Sequence, residues 1–132
     1  MIAQYWDETE DVLAKEIVSD WPAFLELVRR TETSSSGRGI PAIELSDDED
    51  VTCIFIRFEG GGCTVATGDS KGLAWPVEFN NGGCEYVHYD YFGSWSEVPA
   101  DLVIPREKAL AAVKSFLETG DIPPSVLLLV RE

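Results

Sequence analysis

The sequence is poor in the residues that build metal sites and disulfide frameworks. Its 132 residues include one histidine, His88, and three cysteines, Cys53, Cys63 and Cys84. Three cysteines without CxxC spacing fit neither a set of disulfides nor a structural zinc site, which needs closely spaced pairs of ligands. Each cysteine lies in or beside an apolar, β-like run. The sequence therefore predicts reduced thiols packed as small hydrophobic side chains, with no metal and no cofactor.

Positive charge is also scarce. Ten Lys and Arg stand against 24 Asp and Glu, for a net charge of −14 and a pI near 4.3. Nucleic acids and anionic membranes are bound through Lys and Arg, so we expect this surface to bind neither. An acidic surface attracts a basic partner, although acidity also serves solubility alone. Residues 1–50 carry net −9 and residues 51–132 net −5, an asymmetry that favours a docking face.

Long apolar runs are absent as well. No run approaches the roughly eighteen residues that a membrane helix needs. The N-terminus turns acidic within its first seven residues and has no basic and apolar regions of a secretory signal. There is no internal repeat and no long linker, and 45% of the residues are hydrophobic. We interpret residues 1–132 as a single cytoplasmic domain.

Two amphipathic helices are predicted. The first follows the capping residues Ser19 and Asp20 and ends at Arg30, with a polar loop over residues 31–39. The second runs from Pro105 at its first position to Glu118, with Gly120 just past its end. Apolar residues recur at helical spacing in both. The expected buried stripes are Trp21, Phe24, Leu25 and Val28 in the first helix, and Ala109, Leu110, Val113, Phe116 and Leu117 in the second.

The strands are predicted from β-branched and aromatic runs bounded by turn residues. Residues 51–58 (VTCIFIRF) form the central strand, paired through Gly60–Gly62 with residues 63–67. Pro41 places the strand 40–45 at a sheet edge or at a strand start. The turn Asn80–Gly83 predicts a hairpin of strands 73–79 and 84–92. The apolar run 126–130 predicts an interior strand.

Residues 2–6 and 12–18 fit either strand or irregular structure. Together these elements predict an α+β fold, with a mostly antiparallel sheet of five or six strands and two packed amphipathic helices.

No catalytic pattern is complete. A catalytic triad needs histidine beside a nucleophile and an orienting carboxylate, but Asp90 lies two residues from His88 and points parallel to it. Residues 60–62 lack the lysine of a phosphate-binding loop, and residues 47–50 lack the glycine and distal glutamate of a calcium loop. The sequence therefore favours a protein that is not an enzyme. A small enzyme using Cys84, His88 or a carboxylate pair remains an alternative.

The carboxy-terminal third carries a recognisable pattern. It consists of Val98-Pro99, then Val103-Ile104-Pro105-x-Glu107-x-Ala109, a short helix, and Thr119-Gly120-x-x-Pro123 before the last apolar run. This pattern resembles the Imm1 family of immunity proteins from bacterial polymorphic toxin systems. The resemblance implies a single α+β domain that binds a cognate toxin and blocks its active site. Toxins of such systems are often nucleic-acid deaminases or other enzymes that damage nucleic acids.

A toxin of this kind binds phosphate, so its active-site cleft is expected to be basic and to accept an acidic plug. Buried aromatic residues contribute most of the binding energy of such interfaces, and acids contribute association rate and selectivity. Trp95 belongs to this set because we expect it to be exposed in the loop 93–96. An adaptor domain unrelated to toxins is the alternative. The predicted contact set is Asp47, Asp48, Glu49, Asp50, Trp75, Glu78, Glu85 and Trp95.

Overall fold

A computed structural model describes residues 1–7, 10, 12–34, 42–47, 50–58, 62–69, 72–76, 86–91, 94–99 and 102–131. For residues 32–34, 86–91, 94–99 and 131 it describes the backbone alone. These ranges contain two helices, α1 (Trp21–Ser34) and α2 (Arg106–Thr119). They also contain nine strands: β1 (Ile2–Asp7), β2 (Val12–Ile17), β3 (Ile43–Ser46), β4 (Thr52–Arg57), β5 (Cys63–Asp69), β6 (Gly72–Pro76), β7 (Tyr86–Tyr91), β8 (Ser94–Pro99) and β9 (Leu129–Arg131).

Seven of the described strands form one antiparallel sheet in the order β2-β1-β3-β4-β5-β6-β9. Neighbours in sequence pair as hairpins from β3 through β6, and β4 lies at the centre as predicted. The α+β class is confirmed, but the expected five or six strands fall short of the seven in this sheet. The difference comes from residues 2–7 and 12–17, which form the hairpin β1–β2.

Pro41 predicts a sheet edge or a strand start; β3 lies inside the sheet between β1 and β4 and begins at Ile43, so the edge is wrong and the strand start fits. Two further predictions about strands are wrong. β9 begins only at Leu129, after a turn at residues 124–126, and it forms an edge of the described sheet and not an interior strand. β7 pairs with β8 in a separate two-stranded sheet, whereas β6 pairs with β9. The predicted turn Asn80–Gly83 lies outside the described residues.

α1 begins where the sequence indicates and ends later. The backbone N–H of Ala23 donates to Asp20 Oδ1 over 2.9 Å, which confirms the cap. The helix continues to Ser34, so residues 31–34 are helical and not a loop. Its buried apolar side chains are Phe24, Leu27 and Val28, whereas Leu25 is exposed.

α2 begins at Arg106, one residue later than predicted. Pro105 therefore occupies the N-cap position and not the first helical position. Gly120 ends it in the left-handed conformation (φ 80°), and its N–H donates to the Phe116 carbonyl over 2.8 Å. The side chains buried along α2 are Ala109, Ala112, Val113 and Phe116.

The sheet has an apolar layer on each face. One face packs against both helices, and Phe24 of α1 meets Phe55 of β4 edge to face at 5.9 Å between ring centroids. On the opposite face, a smaller cluster is formed by four buried side chains, Ala42, Ile54, Ile56 and Phe58. Partly buried side chains pack against it: Leu73, Trp75, Leu102 and Val103. Because successive side chains alternate across a strand, β4 contributes to both layers.

Candidate partner-binding surface

Asp47, the first acidic residue of the turn between β3 and β4, closes this turn with two hydrogen bonds to Val51. The Asp47 N–H donates to the Val51 carbonyl over 3.1 Å, and the Val51 N–H donates to Asp47 Oδ1 over 3.0 Å. Asp50 is exposed and has a positive φ of 62°, a conformation that Asp tolerates better than most residues. Asp48 and Glu49 lie outside the described residues. The structure therefore places Asp47 and Asp50 together at the end of the central hairpin.

Trp75 lies on the sheet face opposite the helices. It is half-buried in β6, packs against the smaller apolar cluster and pairs with Val130 of β9. The register aligns Ser46, Thr52 and Gly68 across β3 to β5, and Gly68 with Leu73 of β6. Trp75 thus lies three strands across and about three residues along from Asp47, or roughly 18 Å away. These two predicted residues fall within one interface-sized area.

Of the other predicted residues, the structure describes only the backbone of Trp95. Glu78 and Glu85 lie outside the described residues. Trp95 lies in β8 opposite Asp90, so the prediction that it belongs to a loop is wrong. Residues 94–99 (SWSEVP) lack a clear alternation of apolar and polar residues, so the sequence did not predict that they form β8 and pair with β7.

A further feature of the surface was missed in the sequence. The side chains of Ile2, Leu13 and Ile17 lie on one face of the hairpin β1–β2 and are 49%, 44% and 76% exposed. Ile2 pairs with Ile17, and Leu13 pairs with the half-buried Trp6. We call these four residues the hairpin patch. Residues 12–17 (VLAKEI) do not alternate between apolar and polar side chains, so no period-2 signal in the sequence marks this patch.

The other face of this hairpin is tied to α1. Glu16 of β2 accepts a hydrogen bond from the Tyr5 hydroxyl over 3.0 Å and forms an ion pair with Arg30 of α1. Burial, followed by the hydrogen bond to the Glu16 carboxylate, raises the pKa of Tyr5 above its usual 10. The hydrogen bond to Glu16 also raises the pKa of Arg30. This pairing fixes which face of the hairpin is turned outward.

The buried cysteines are poor nucleophiles. Burial raises the pKa of Cys63 to about 11 and raises that of the fully buried Cys53 further. Since the thiolate is the reactive form, both remain protonated near neutral pH. Within the described ranges, no group of three or more His, Cys, Asp or Glu is placed to hold a metal ion. None of the described helices is long and apolar enough to cross a membrane.

Comparison with known proteins adds one finding. The family model described as immunity protein Imm1 matches residues 3–129, nearly the whole chain. The match begins in β1 and ends at the first residue of β9, so it includes both helices and all of β2 to β6. Among curated proteins, none matches this chain.

Proposed function

Because the chain belongs to the Imm1 family of immunity proteins, we propose that it binds a cognate bacterial toxin and occludes its active site. Membership indicates a toxin-neutralising role, and the match over residues 3–129 is the observation that carries the proposal. The family is generally non-enzymatic, in keeping with a stoichiometric inhibitor. The target that fits best is a nucleic-acid-targeting enzyme such as a deaminase, met in the cytoplasm.

The net charge of −14 supports this choice of target. An enzyme that acts on nucleic acid needs a basic cleft for phosphate. A protein with a strongly negative surface approaches such a cleft faster than a neutral one and competes with the substrate for the same cations. The acidic chain would therefore occupy the place of the phosphate backbone.

The proposed contact set keeps the acidic turn of residues 47–50 as its charged part, with Glu78 and Glu85, and Trp75 and Trp95 as aromatic anchors. Asp50 supports the proposal because it is exposed at the tip of the turn. Trp75 supports it because a half-buried aromatic ring presents area to a partner at little entropic cost. In this arrangement the acids would set the association rate and the rings the lifetime of the complex.

The first check is the gene immediately upstream: a toxin-domain gene there supports the proposal, and its absence favours an adaptor. The toxin domain that such a gene encodes is the binding partner in the test. In the double variant Asp47→Lys/Asp50→Lys, we expect the association rate at low salt to fall about tenfold or more. The matched control is Glu118→Lys/Asp121→Lys, which changes the net charge equally at exposed positions beyond the acidic turn. The control is expected to slow association less, and 0.5 M salt should reduce both effects.

Two results would count against the proposal at different levels. Equal association rates for the two double variants would remove the acidic turn from the contact set. Failure of the wild-type chain to bind the toxin domain, and to protect cells that express it, would favour an adaptor unrelated to toxins.

A further inference from the structure

β2 is an edge strand of the seven-stranded sheet. Two hydrogen bonds between Met1 and Val18 establish which backbone groups of β2 face away from β1. The Met1 ammonium donates to the Val18 carbonyl over 3.0 Å, and the Val18 N–H donates to the Met1 carbonyl over 2.8 Å. In an antiparallel ladder, hydrogen-bonded pairs alternate with pairs that are not bonded. Ala3–Glu16 and Tyr5–Ala14 are then bonded pairs. The N–H and C=O groups of Leu13, Lys15 and Ile17 consequently point away from β1.

The same three residues carry the outward side chains. Leu13, Lys15 and Ile17 lie on the face opposite the helices, because Glu16 between them reaches Arg30 of α1. Leu13 and Ile17 are largely exposed and continue onto Ile2 of the neighbouring strand. An exposed edge with apolar side chains is a template for another strand, and Lys15 is the one charged residue among the three outward side chains of β2 that discourages such pairing.

The opposite edge of the sheet is a weaker template. β9 has three residues, Leu129–Arg131, against six in β2. A strand added to β2 would gain up to three backbone N–H and three C=O partners, together with the apolar area of the hairpin patch. Among the two edges of the described sheet, β2 is thus the better site for strand addition.

We infer that an extended segment of the cognate toxin pairs with the edge of β2, an inference that rests on the proposed function. Charge selects this occupant. The segment from Asp7 to Asp11, between β1 and β2 in the sequence, contains four acids, and Asp20 follows β2. A segment with Lys or Arg at its flanks complements these ends, as expected of a nucleic-acid-targeting toxin.

A second copy of the chain fits the edge less well. Each copy carries a net charge of −14, so two copies repel at low salt. The antiparallel pairing that brings Leu13 opposite Ile17 of the other copy also sets Lys15 opposite Lys15, and like charges directly opposite destabilise a ladder. The toxin segment is instead expected to place apolar residues opposite Leu13 and Ile17, and an acid opposite Lys15.

The first experiment separates the contribution of the β2 backbone to toxin binding from that of the β2 side chains. Lys15→Pro removes an N–H that β1 does not use, so the fold should tolerate it, because proline is accepted on the open side of an edge strand. The matched control Lys15→Ala removes the same side chain and keeps the N–H. We expect Lys15→Pro to weaken toxin binding at least about tenfold relative to Lys15→Ala, since backbone hydrogen bonds and close approach are both lost.

The second experiment reads the edge directly. Amide hydrogen exchange of the full chain, followed by NMR, is measured with and without the upstream-encoded toxin domain. The amides of Leu13, Lys15 and Ile17 should exchange much more slowly in the complex, whereas those of Ala14 and Glu16 are already bonded to β1 and should change little.

The outcomes distinguish the two proposals. If the wild-type chain does not bind the toxin domain, the proposed function fails and this inference fails with it. If the toxin binds but the two Lys15 variants bind equally and the three amides stay unprotected, strand addition alone is wrong. Protection of the three amides in the free chain at high concentration, with a doubled mass, would assign the edge to a second copy instead.

Discussion

Arg57 of β4 donates a hydrogen bond from Nη2 to the Thr31 hydroxyl of α1 over 2.8 Å, and both side chains are buried. Thr31 in turn donates from its hydroxyl to the Val28 carbonyl over 2.9 Å. A charged group is thus placed inside the apolar layer where α1 crosses the central strand. Burial lowers the pKa of Arg57 to about 10, so the guanidinium keeps its charge at neutral pH.

Removing the Thr31 hydroxyl should destabilise the protein. Thr31→Val deletes the acceptor for Arg57 at nearly constant volume, and hydrogen bonds to charged groups contribute about 1.5–3 kcal/mol. We expect a loss of that size in the free energy of unfolding, measured by urea denaturation at pH 7. Thr31→Ser keeps the hydroxyl and should lose less than about 1.5 kcal/mol. Equal losses in the two variants would show that packing, not the hydrogen bond, holds this contact.

Asp50 offers a test of stability against binding. Its φ of 62° strains an L-residue, and glycine removes that strain, so Asp50→Gly should raise the free energy of unfolding by up to about 1 kcal/mol. The same change deletes one acid of the proposed contact set. Calorimetry and toxin-binding kinetics together should show a more stable protein that associates more slowly at low salt.

Asp50→Ala is the control for Asp50→Gly, because it removes the charge without relieving the backbone. It should slow association equally and add no stability. A more stable Asp50→Gly variant with unchanged association would mean that Asp50 does not serve the toxin.

The buried thiols of Cys53 and Cys63 should be unreactive toward thiol reagents in the native protein. Since burial raises the pKa of Cys63 to about 11 and shields Cys53 completely, neither should react quickly with an aromatic disulfide reagent at pH 8. The variant Cys84→Ser isolates these two cysteines. We expect almost no reaction in native buffer and two thiols released in 6 M guanidinium chloride. Rapid native labelling of this variant would contradict the burial of both side chains.

Tyr5 should titrate later than an ordinary tyrosine. Its pKa is raised by burial first and by the Glu16 carboxylate second, so the folded state holds the phenolic proton more tightly than the unfolded state. The stability that this provides is complete below pH 10 and is lost as the pH rises through the raised value. The ultraviolet titration difference between the wild type and Tyr5→Phe reports the pKa.

The matched variant for the Tyr5 titration is Glu16→Gln, which keeps the burial and removes the charge. It should lower the pKa of Tyr5 only in part, because burial is the larger cause. A pKa that returns fully to 10 in this variant would show that the carboxylate is the main cause.

Several elements could be predicted from the sequence because their signals are local. The cap at Asp20, the apolar run of β4 and the glycine after α2 each depend on a few adjacent residues. The hairpin β4–β5 follows from two apolar runs separated by glycines. The carboxy-terminal pattern also sufficed to suggest the Imm1 family, which the match over residues 3–129 confirms.

Other elements depend on contacts between distant segments. β9 pairs with β6, which lies far away in the sequence, and the apolar run 126–130 by itself fits an interior strand equally well. The sequence Asn80–Gly83 predicted a turn that would pair β7 with β6, but β7 pairs with β8 instead. Leu25 fits the helical stripe by spacing, but the sheet meets α1 through Leu27 instead. The local periodicity of the sequence does not determine which strands pair or which helix residues contact the sheet.

The sequence by itself determined the charge of the protein, its α+β class and the family to which it belongs, since each is written in composition, periodicity or a short pattern. Only the tertiary structure decided which surface those residues form. It set β2 at the edge of the sheet, turned Glu16 inward to Arg30 and left Leu13 and Ile17 outward. The physical reason is that an edge, and the exposed face of a strand, exist only once the other strands and the helices have taken their places.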